Sequence, residues 1–313
     1  MSCLFLGEVT PLGFIGLFSR RKLAASGLVL SLLLSGCIIR RTPVPQNQRL
    51  LPAQTRSFSE ILQVLVDRSQ AVKSLKAVNV VFRPSAGGRK KNEVTEVRAM
   101  DGYMLVNRPD GIHIHLDAPI LKTTLADMVS DGREYKVWSP LNNNFYVGNA
   151  DEPIQIGKLD LQLPPPNDIA SALFVDISPY LSNPGKYKLF QTEAVEGQHS
   201  YYVMRVVDIG DDSIEAHALE EIWIDRTTME IARQVMYGKE GVLLTDTNFS
   251  GYPSSGEVLF PKIVKIHRPL EDVNLTIEFD RAEPNVPLPA EGFKLSQPDG
   301  SDLIRMPGPG SRK

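Results

Sequence analysis

Apolar and polar positions follow a helical period in one segment of the chain and a strand period in most of the rest. From Ser57 to about Leu75 the apolar residues recur near helical spacing, at Ile61, Leu62, Leu65, Val66, Val72 and Leu75. Ser57, followed three residues later by Glu60, has the pattern of a capping box, which marks the start of a helix. The pattern therefore predicts an N-terminal helix over residues 57–75.

From residue 77 onward the apolar positions alternate as they do in strands. In the last such segment the apolar residues share one face and polar residues occupy the other, with Val273, Leu275, Ile277 and Phe279 on the apolar side. Short turns rich in Gly, Asn and Asp separate the segments, which favours antiparallel neighbours. The long interruption at 157–185 carries Pro164-Pro165-Pro166 and then a short helical pattern, about residues 167–174.

We predict a mainly β (α+β) fold from this order of elements. Its centre is a curved antiparallel half-barrel of about 11–14 strands, because so many short segments with close turns must curl to cover their apolar faces. The N-terminal helix and the short inserted helix are expected to act as a lid or plug.

The residues before position 38 have the order of a bacterial export signal. A basic cluster at 20–22 precedes an apolar run at 23–34, which closes with Leu34-Ser35-Gly36-Cys37. This tetrad resembles the lipobox of lipoprotein signal peptides, which implies cleavage between Gly36 and Cys37 and attachment of diacylglycerol and an N-acyl chain such as palmitate to Cys37. The run is shorter than the roughly 20 residues of a membrane span. A short transmembrane anchor with an ordinary buried Cys37 is the alternative, and both general and twin-arginine export remain open.

Composition narrows the class of protein. The formal net charge is −3 and no basic patch stands out, so we expect no nucleic-acid partner. The chain has 2 cysteines, Cys3 in the signal and Cys37 at the lipobox, so the expected mature domain has no disulfide and must be stable through packing alone. The expected division is a signal peptide at 1–36, a lipidated cysteine and flexible linker at 37–56, a folded domain at 57–295 and a disordered tail at 296–313.

Three stretches of the folded domain resemble the LolA/LolB superfamily of lipoprotein carriers and outer-membrane lipoprotein receptors. They are the capped helix that leads through Ser74-Leu75-Lys76-Ala77, the segment 114–140 with Asp117-Ala118-Pro119-Ile120-Leu121, and Leu163-Pro164-Pro165-Pro166 before the inserted helix. The resemblance implies a curved sheet with helices over an apolar cavity. It also implies that Ile120 and Leu121 lie in an exposed loop that inserts into membrane or cargo, although a turn in which both pack inward is equally compatible with the sequence.

Candidate chemistry is sparse along the chain. His113 and His115 share one face of a strand beside Asp117, a spacing that a metal site can use. Because Ile112, Ile114 and Leu116 take the opposite face, we expect the histidines on a solvated face and no metal site. No nucleophile elbow, phosphate-binding glycine loop or Cys-x-x-Cys occurs. We therefore expect no enzymatic activity and no cofactor beyond the lipid on Cys37.

The sequence favours a lipid-anchored protein on the periplasmic face of the outer membrane. Ile38, in place of the aspartate that favours inner-membrane retention, is the basis for that location. The leading hypothesis is binding of acyl chains, or of lipoprotein or lipid cargo, in an apolar cavity, with a periplasmic carrier as a possible partner. The alternative is a non-catalytic envelope scaffold that binds another protein. A hydrolytic enzyme ranks third.

Overall fold

The computed structural model describes residues 50–87, 94–96, 98–109, 111–157, 161–210, 215–253 and 259–307. Residues 50–313 form one compact unit. The predicted signal peptide, the cleavage site at Gly36 and Cys37, and the first part of the predicted linker lie outside the described residues.

Three α-helices accompany the strands in the described part of the chain, together with short 3₁₀ helices at Pro140–Asn142, Lys239–Gly241 and Ala290–Phe293. The α-helices are α1 (Phe58–Ala71), α2 (Pro166–Leu173) and α3 (Ser178–Leu181). The predicted capping box is present at the start of α1, where the Ser57 amide donates to Glu60 Oε2 at 2.8 Å and Ser57 Oγ accepts from the Glu60 amide at 3.4 Å. Helix α1 ends four residues before the predicted Leu75, because the chain turns there into the first strand.

The strands run through nearly the whole remaining chain. In order they are β1 (Ser74–Gly87), β2 (Val94–Glu96), β3 (Met100–Asn107), β4 (Gly111–Asp117), β5 (Thr124–Ser130), β6 (Glu134–Ser139), β7 (Asn144–Asn149), β8 (Ile154–Ile156), β9 (Leu161–Leu163), β10 (Tyr187–Glu196), β11 (His199–Ile209), β12 (Ala216–Asp225), β13 (Ile231–Tyr237), β14 (Leu243–Ser250), β15 (Ile263–Arg268), β16 (Val273–Pro284) and β17 (Asp302–Arg305). The predicted fold class is confirmed. The strands beyond the predicted 11–14 include β8, β9 and β17, which are only three or four residues long and leave little periodic signal.

Among the described residues, 15 strands form one open, curved sheet, and β8 and β9 form a separate hairpin. The sheet order is β10-β11-β12-β13-β14-β15-β16-β1-β3-β4-β5-β6-β7-β17, with β2 beside β1. Every neighbouring pair from β10 to β7 is antiparallel, so successive connections alternate between the two ends of the strands. We call the end with the β4–β5, β6–β7, β13–β14 and β15–β16 connections the loop end, and the opposite end the linker end.

The concave face of the sheet is filled by helices and by the β8–β9 hairpin. Ile61 and Leu65 of α1, and Ile169 and Ala172 of α2, are at most 1 % exposed within one continuous apolar cluster. The hairpin adds Ile154, Ile156, Leu161 and Leu163 to the same cluster. The predicted inserted helix is therefore part of a larger plug that also includes a hairpin.

The C-terminal segment does not begin as the predicted frayed tail. Residues 302–305 form β17, which pairs parallel with β7, and the Met306 amide donates to the Val147 carbonyl at 2.8 Å. Ile304 and Met306 pack against the main apolar cluster, and this burial explains why a short strand forms within a Pro- and Gly-rich sequence. The prediction of a disordered tail from 296 is wrong for residues 302–305, and residues 308–313 lie outside the described part.

The last part of the predicted flexible linker is attached to the sheet. The Leu51 amide donates to the Gln198 carbonyl and the Gln54 amide to the Arg226 carbonyl, each at 2.8 Å. The hydroxyl of Tyr202 donates to the Gln54 carbonyl at 2.8 Å. The chain thus enters the domain at the linker end, beside the β10–β11 and β12–β13 turns.

Candidate ligand site at the loop end

The β4–β5 loop presents two aliphatic side chains to solvent. Ile120 is 86 % exposed and Leu121 is 80 % exposed. The loop itself is tightly closed, because the Ala118 amide donates to the Thr123 carbonyl at 2.9 Å and the Lys122 amide to the Ala118 carbonyl at 3.0 Å. Lys122 also pairs with Asp101 of β3. The inward-packed alternative for Ile120 and Leu121 is therefore wrong, and both side chains project from a fixed turn.

An apolar pocket of about 440 Å³ lies beneath this loop. Its lining is aliphatic except for one cation, and consists of Arg98, Ala99, Met100, Ala118, Pro119, Ile120, Leu121, Leu125 and Leu161. The pocket thus lies between the start of β3, the β4–β5 loop and the β8–β9 hairpin. Its volume falls within the roughly 300–1,000 Å³ of typical ligand pockets.

Arg98 gives this pocket a charged edge. Its side chain is exposed, and no carboxylate among the described residues pairs with it. A guanidinium beside an aliphatic pocket suits an amphipathic ligand, because it can bind a carboxylate or phosphate while the apolar part is buried.

Other connections at the loop end also expose aliphatic side chains. Leu141 in the β6–β7 connection is 53 % exposed, Val242 before β14 is 42 % exposed and Leu270 between β15 and β16 is 48 % exposed. Each belongs to a different turn. Exposed apolar positions that concentrate in this way at one side of a protein often mark contact with a membrane or another protein.

The connections at the linker end are mostly polar. The described turns there comprise 108–109, 131–133, 197–198 and 226–230, with the sequences Arg-Pro, Asp-Gly-Arg, Gly-Gln and Arg-Thr-Thr-Met-Glu. Leu259, in the long β14–β15 connection, is an exception at 38 % exposed, and Leu50 and Phe58, where the chain enters this end, are 53 % and 40 % exposed. The space between α1, α2 and that connection is only about 50 Å³, and Arg68 and Arg108 contribute to its lining.

The histidines of β4 lie on the convex face, opposite Ile112, Ile114 and Leu116, as the alternation predicts. His113 Nε2 lies 2.6 Å from Asp127 Oδ1, and His115 Nδ1 lies 3.2 Å from the same oxygen. Burial raises the pKa of Asp127, but hydrogen bonds and charge from the two histidines outweigh it, so the pKa lies below its usual value.

The expectation of a solvated face is wrong for His113, which is 8 % exposed. The C-terminal segment crosses this face, since residues 290–293 contact β4 and the Phe293 ring lies next to Gly111. A groove of about 780 Å³ remains between that segment and β1 and β3, with Tyr103, Leu105 and Pro287 in its lining. Alternation identifies the face of the histidines, but a distant segment determines their burial.

Two buried ionisable side chains, Glu220 and Arg268, lie in the half of the sheet that contains β10–β16. Glu220 of β12 is 2 % exposed, and it accepts a hydrogen bond from Gln234 Nε2 at 2.6 Å. Burial raises the pKa of Glu220 to about 7, although hydrogen bonds from Gln234 and Tyr180 oppose the shift. Arg268 of β15 pairs with Asp168 of α2 and with Glu271 Oε1, the latter at 3.0 Å. These groups connect the plug helices to the sheet.

Neither a metal cluster nor a membrane-spanning helix is found within the described ranges. No three His, Cys, Asp or Glu side chains there are grouped so that they could hold a metal ion. No described helix is both long and apolar enough to cross a bilayer.

No protein-family model matches the chain, and no curated protein matches its sequence. Among solved structures it is similar to a DUF1329 family protein from Desulfovibrio piger, with 15 % identity, 75 % of this chain and 95 % of that chain covered, and a TM-score of 0.50. A LolA superfamily protein from Nitrosomonas europaea gives 13 % identity, coverage of 77 % and 99 %, and a TM-score of 0.46.

A putative outer membrane lipoprotein-sorting protein domain from Vibrio parahaemolyticus gives 13 % identity, coverage of 75 % and 94 %, and a TM-score of 0.43. At 13–15 % sequence identity, the similarity between these structures and this chain concerns the fold alone. At a TM-score of 0.50, the Desulfovibrio piger protein shares the curved-sheet fold with this chain.

The sequence identified Ile120 and Leu121 but not the rest of this site. Arg98, Ala99 and Leu161 are separated from the loop along the chain and converge on it only through the β2–β3 connection and the β8–β9 hairpin. The sequence does contain a signal for Leu141, Val242 and Leu270, because each is an apolar residue within a turn, where polar residues are usual.

Proposed function

We propose that the protein is a non-catalytic envelope lipoprotein that binds the acyl chain of a lipid or lipoprotein in the pocket beneath the β4–β5 loop. The observation that carries this proposal is the 440 Å³ aliphatic pocket, whose edge bears the exposed Ile120 and Leu121. Burial of an acyl chain contributes about 0.8 kcal/mol for each CH₂ removed from water, before the cost of association is subtracted. Such a site needs no catalytic group.

In this proposal, the lipid on Cys37 anchors the protein in the outer membrane. The test is metabolic labelling with an alkyne-bearing palmitate in the bacterial host. We expect label on the wild-type chain and none on Cys37→Ser, and separation of the membranes should place the labelled chain in the outer membrane. Equal labelling of both chains would contradict lipidation at this cysteine.

The chain enters the domain at the linker end, and the β4–β5 loop lies at the opposite end. The chain from Cys37 to Leu50 spans at most about 45 Å when fully extended, and an eight-residue strand such as β3 is about 27 Å long. The loop end can therefore face away from the anchoring membrane, or reach it when the linker is extended. Both arrangements are compatible with transfer of a hydrophobic cargo between a periplasmic carrier and a membrane.

The pocket is tested with a form that begins at Ile38, which retains the whole compact unit that starts at Leu50. Native mass spectrometry of this form is expected to show a stoichiometric acyl lipid, or binding of added hexadecanoic acid and of a diacylated lipopeptide. Ala99→Trp should weaken binding at least about tenfold, because the indole fills the space that the chain would occupy. Ala290→Trp is the matched control, since Ala290 is exposed and lies outside the pocket.

An apo mass that resists loading in both the wild type and Ala99→Trp would contradict acyl binding. A second candidate would then lead, namely an envelope scaffold that binds another protein. The filled concave face favours that candidate, because α1, α2 and the β8–β9 hairpin occupy the space that a large cargo would need.

A further inference from the structure

The two edges of the main sheet differ in whether a short strand covers the last long strand. At one edge, β17 covers β7 with four register pairs. At the other edge, β10 pairs with β11 along its whole length, from Tyr187 opposite Asp208 to Glu196 opposite His199, and no other described strand pairs with it. A bare ten-residue edge offers a row of backbone donors and acceptors to any strand that approaches it.

Two apolar side chains of this edge strand are exposed to solvent. Phe190 is 42 % exposed and Val195 is 59 % exposed. Because their numbers differ in parity, they project from opposite faces of the strand. Natural edge strands commonly carry charges or proline that discourage pairing, and β10 has three charged residues, Lys188, Glu193 and Glu196, of which Glu193 pairs with Arg226 of its own chain at 2.7 Å.

The hydrogen-bond pattern of the hairpin shows which residues of β10 face outward. The Ile209 amide donates to the Lys186 carbonyl at 2.9 Å, so this pair is hydrogen-bonded. Hydrogen-bonded and open pairs alternate along an antiparallel ladder. The even-numbered residues of β10 therefore bond to β11, and the odd-numbered residues direct their amide and carbonyl groups away from the sheet.

We propose that β10 pairs antiparallel with β10 of a second copy of this chain, about a two-fold axis at Thr192. Symmetric pairing must place odd residues opposite odd residues, which leaves only registers centred on a single residue. The register centred on Thr192 places Lys188 opposite Glu196 twice, once on each side of the axis. Opposite charges that face each other across strands stabilise the pair.

The same register also matches the apolar positions. Leu189 then faces Val195, and Phe190 faces Ala194, on the two faces of the strand. A shift of the axis to Gln191 places Leu189 opposite Glu193, and a shift to Glu193 places Phe190 opposite Glu196. An axis at Phe190 leaves Val195 without a partner. Charge and apolar complementarity therefore select one register.

This pairing closes on itself. A two-fold contact uses the same surface on both copies, so it ends with a dimer and does not continue as a filament. The opposite edge is already covered by β17.

Charge reversal tests the pairing in the form that begins at Ile38, with sedimentation over a range of concentrations as the measurement. The wild type is expected to form a dimer. Lys188→Glu should weaken it at least tenfold, because two pairs of glutamates then face each other, and Glu196→Lys should do the same with lysines. The double variant Lys188→Glu/Glu196→Lys should restore the wild-type dimer. Lys239→Glu, at the exposed β13–β14 turn, is the control and should leave the dimer unchanged.

Disulfide formation tests the register. Both cysteines of the chain precede Ile38, so an introduced cysteine is the sole thiol of this form. Thr192→Cys should oxidise to a covalent dimer, because an open pair on the axis brings its Cβ atoms to about 4.5–5.5 Å. Phe190→Cys should remain monomeric on denaturing gels. Thermal unfolding checks that each variant is folded.

A folded wild type that stays monomeric at every concentration would overturn the proposal. Failure of the double charge swap to restore the dimer, or covalent dimers of Phe190→Cys in place of Thr192→Cys, would overturn the register.

Discussion

At the loop end of the sheet, four connections carry exposed aliphatic side chains, and a pocket of about 440 Å³ lies beneath one of them. At the linker end, most described turns are polar, and the cavities of about 50 and 290 Å³ there have charged side chains in their linings, Arg68 and Arg108 in the first and Asp131, Glu134 and Lys136 in the second. The strands between the two ends are shared, so this difference arises in the connections. The comparison shows that one sheet can present mainly apolar connections at one end and mainly polar connections at the other.

The two ends also differ in how firmly the chain is attached. Residues 50–56 are bound at the linker end by backbone hydrogen bonds and by the hydroxyl of Tyr202. Arg226 adds a contact from its guanidinium to the Tyr202 ring, 4.6 Å from the ring centroid. Under the proposed function, an anchor would pull on the protein where the chain enters, and the firm attachment at that end would leave the loop end available for the proposed ligand.

The largest effect is expected from changes to the β4–β5 loop. Ile120→Ser/Leu121→Ser removes two side chains that would each contribute about 1.5–3 kcal/mol when buried in lipid. Binding of the form from Ile38 to phosphatidylethanolamine–phosphatidylglycerol vesicles should therefore fall at least about 100-fold. Vesicle co-sedimentation measures this, with unfolding in urea expected to be nearly unchanged.

The matched control for that variant lies at the linker end. Leu50→Ser/Phe58→Ser also removes two exposed apolar side chains, which are 53 % and 40 % exposed. Little change in vesicle binding is expected. An equal loss in both double variants would show that binding depends on exposed apolar area in general and would break the comparison between the ends.

The second largest effect is expected from a change at Glu220, which should alter the free energy of unfolding without altering vesicle binding. Glu220 lies between the ends, with its pKa raised from 4.5 to about 7. Between those pH values the folded state keeps a proton that the unfolded state has released, so stability falls as pH rises through this window, by about 3 kcal/mol in total. Glu220→Gln should lack this contribution and unfold at higher urea than the wild type at pH 8, with little difference at pH 4.5.

Urea unfolding at several pH values provides the measurement, and Glu134→Gln is the exposed control. Vesicle binding should be the same for Glu220→Gln and the wild type at pH 5, where both are folded with a neutral side chain at position 220. A pH dependence of unfolding that is identical in the wild type and Glu220→Gln would refute the raised pKa.

Much of the fold was predictable because the signals are local. The alternation of Val273, Leu275, Ile277 and Phe279 specifies which face of β16 is buried, and Ser57 with Glu60 marks the start of α1. The candidate site was predictable only where one turn carries it, at Ile120 and Leu121.

The parts that escaped prediction depend on contacts between distant segments. Strand β17 forms because Ile304 reaches the core beside β7, and His113 is buried because the segment at 290–293 crosses its strand. Arg98 and Leu161 meet at the pocket through the curvature of the sheet and the position of the β8–β9 hairpin. Local periodicity carries no information about such encounters.

The smallest effects are expected at the remaining turns of the loop end, and they decide how wide the contact is. Leu141, Val242 and Leu270 are only about half exposed, so each serine substitution should cost roughly 0.5–1 kcal/mol of vesicle binding, or about two- to fivefold. Leu259→Ser at the linker end is the matched single control and should have no effect. Because the three positions lie in separate turns, their effects should add in the triple variant. Three silent substitutions beside a strong effect of the Ile120 and Leu121 variant would restrict the contact to the β4–β5 loop, whereas three small additive losses would extend it across the whole loop end.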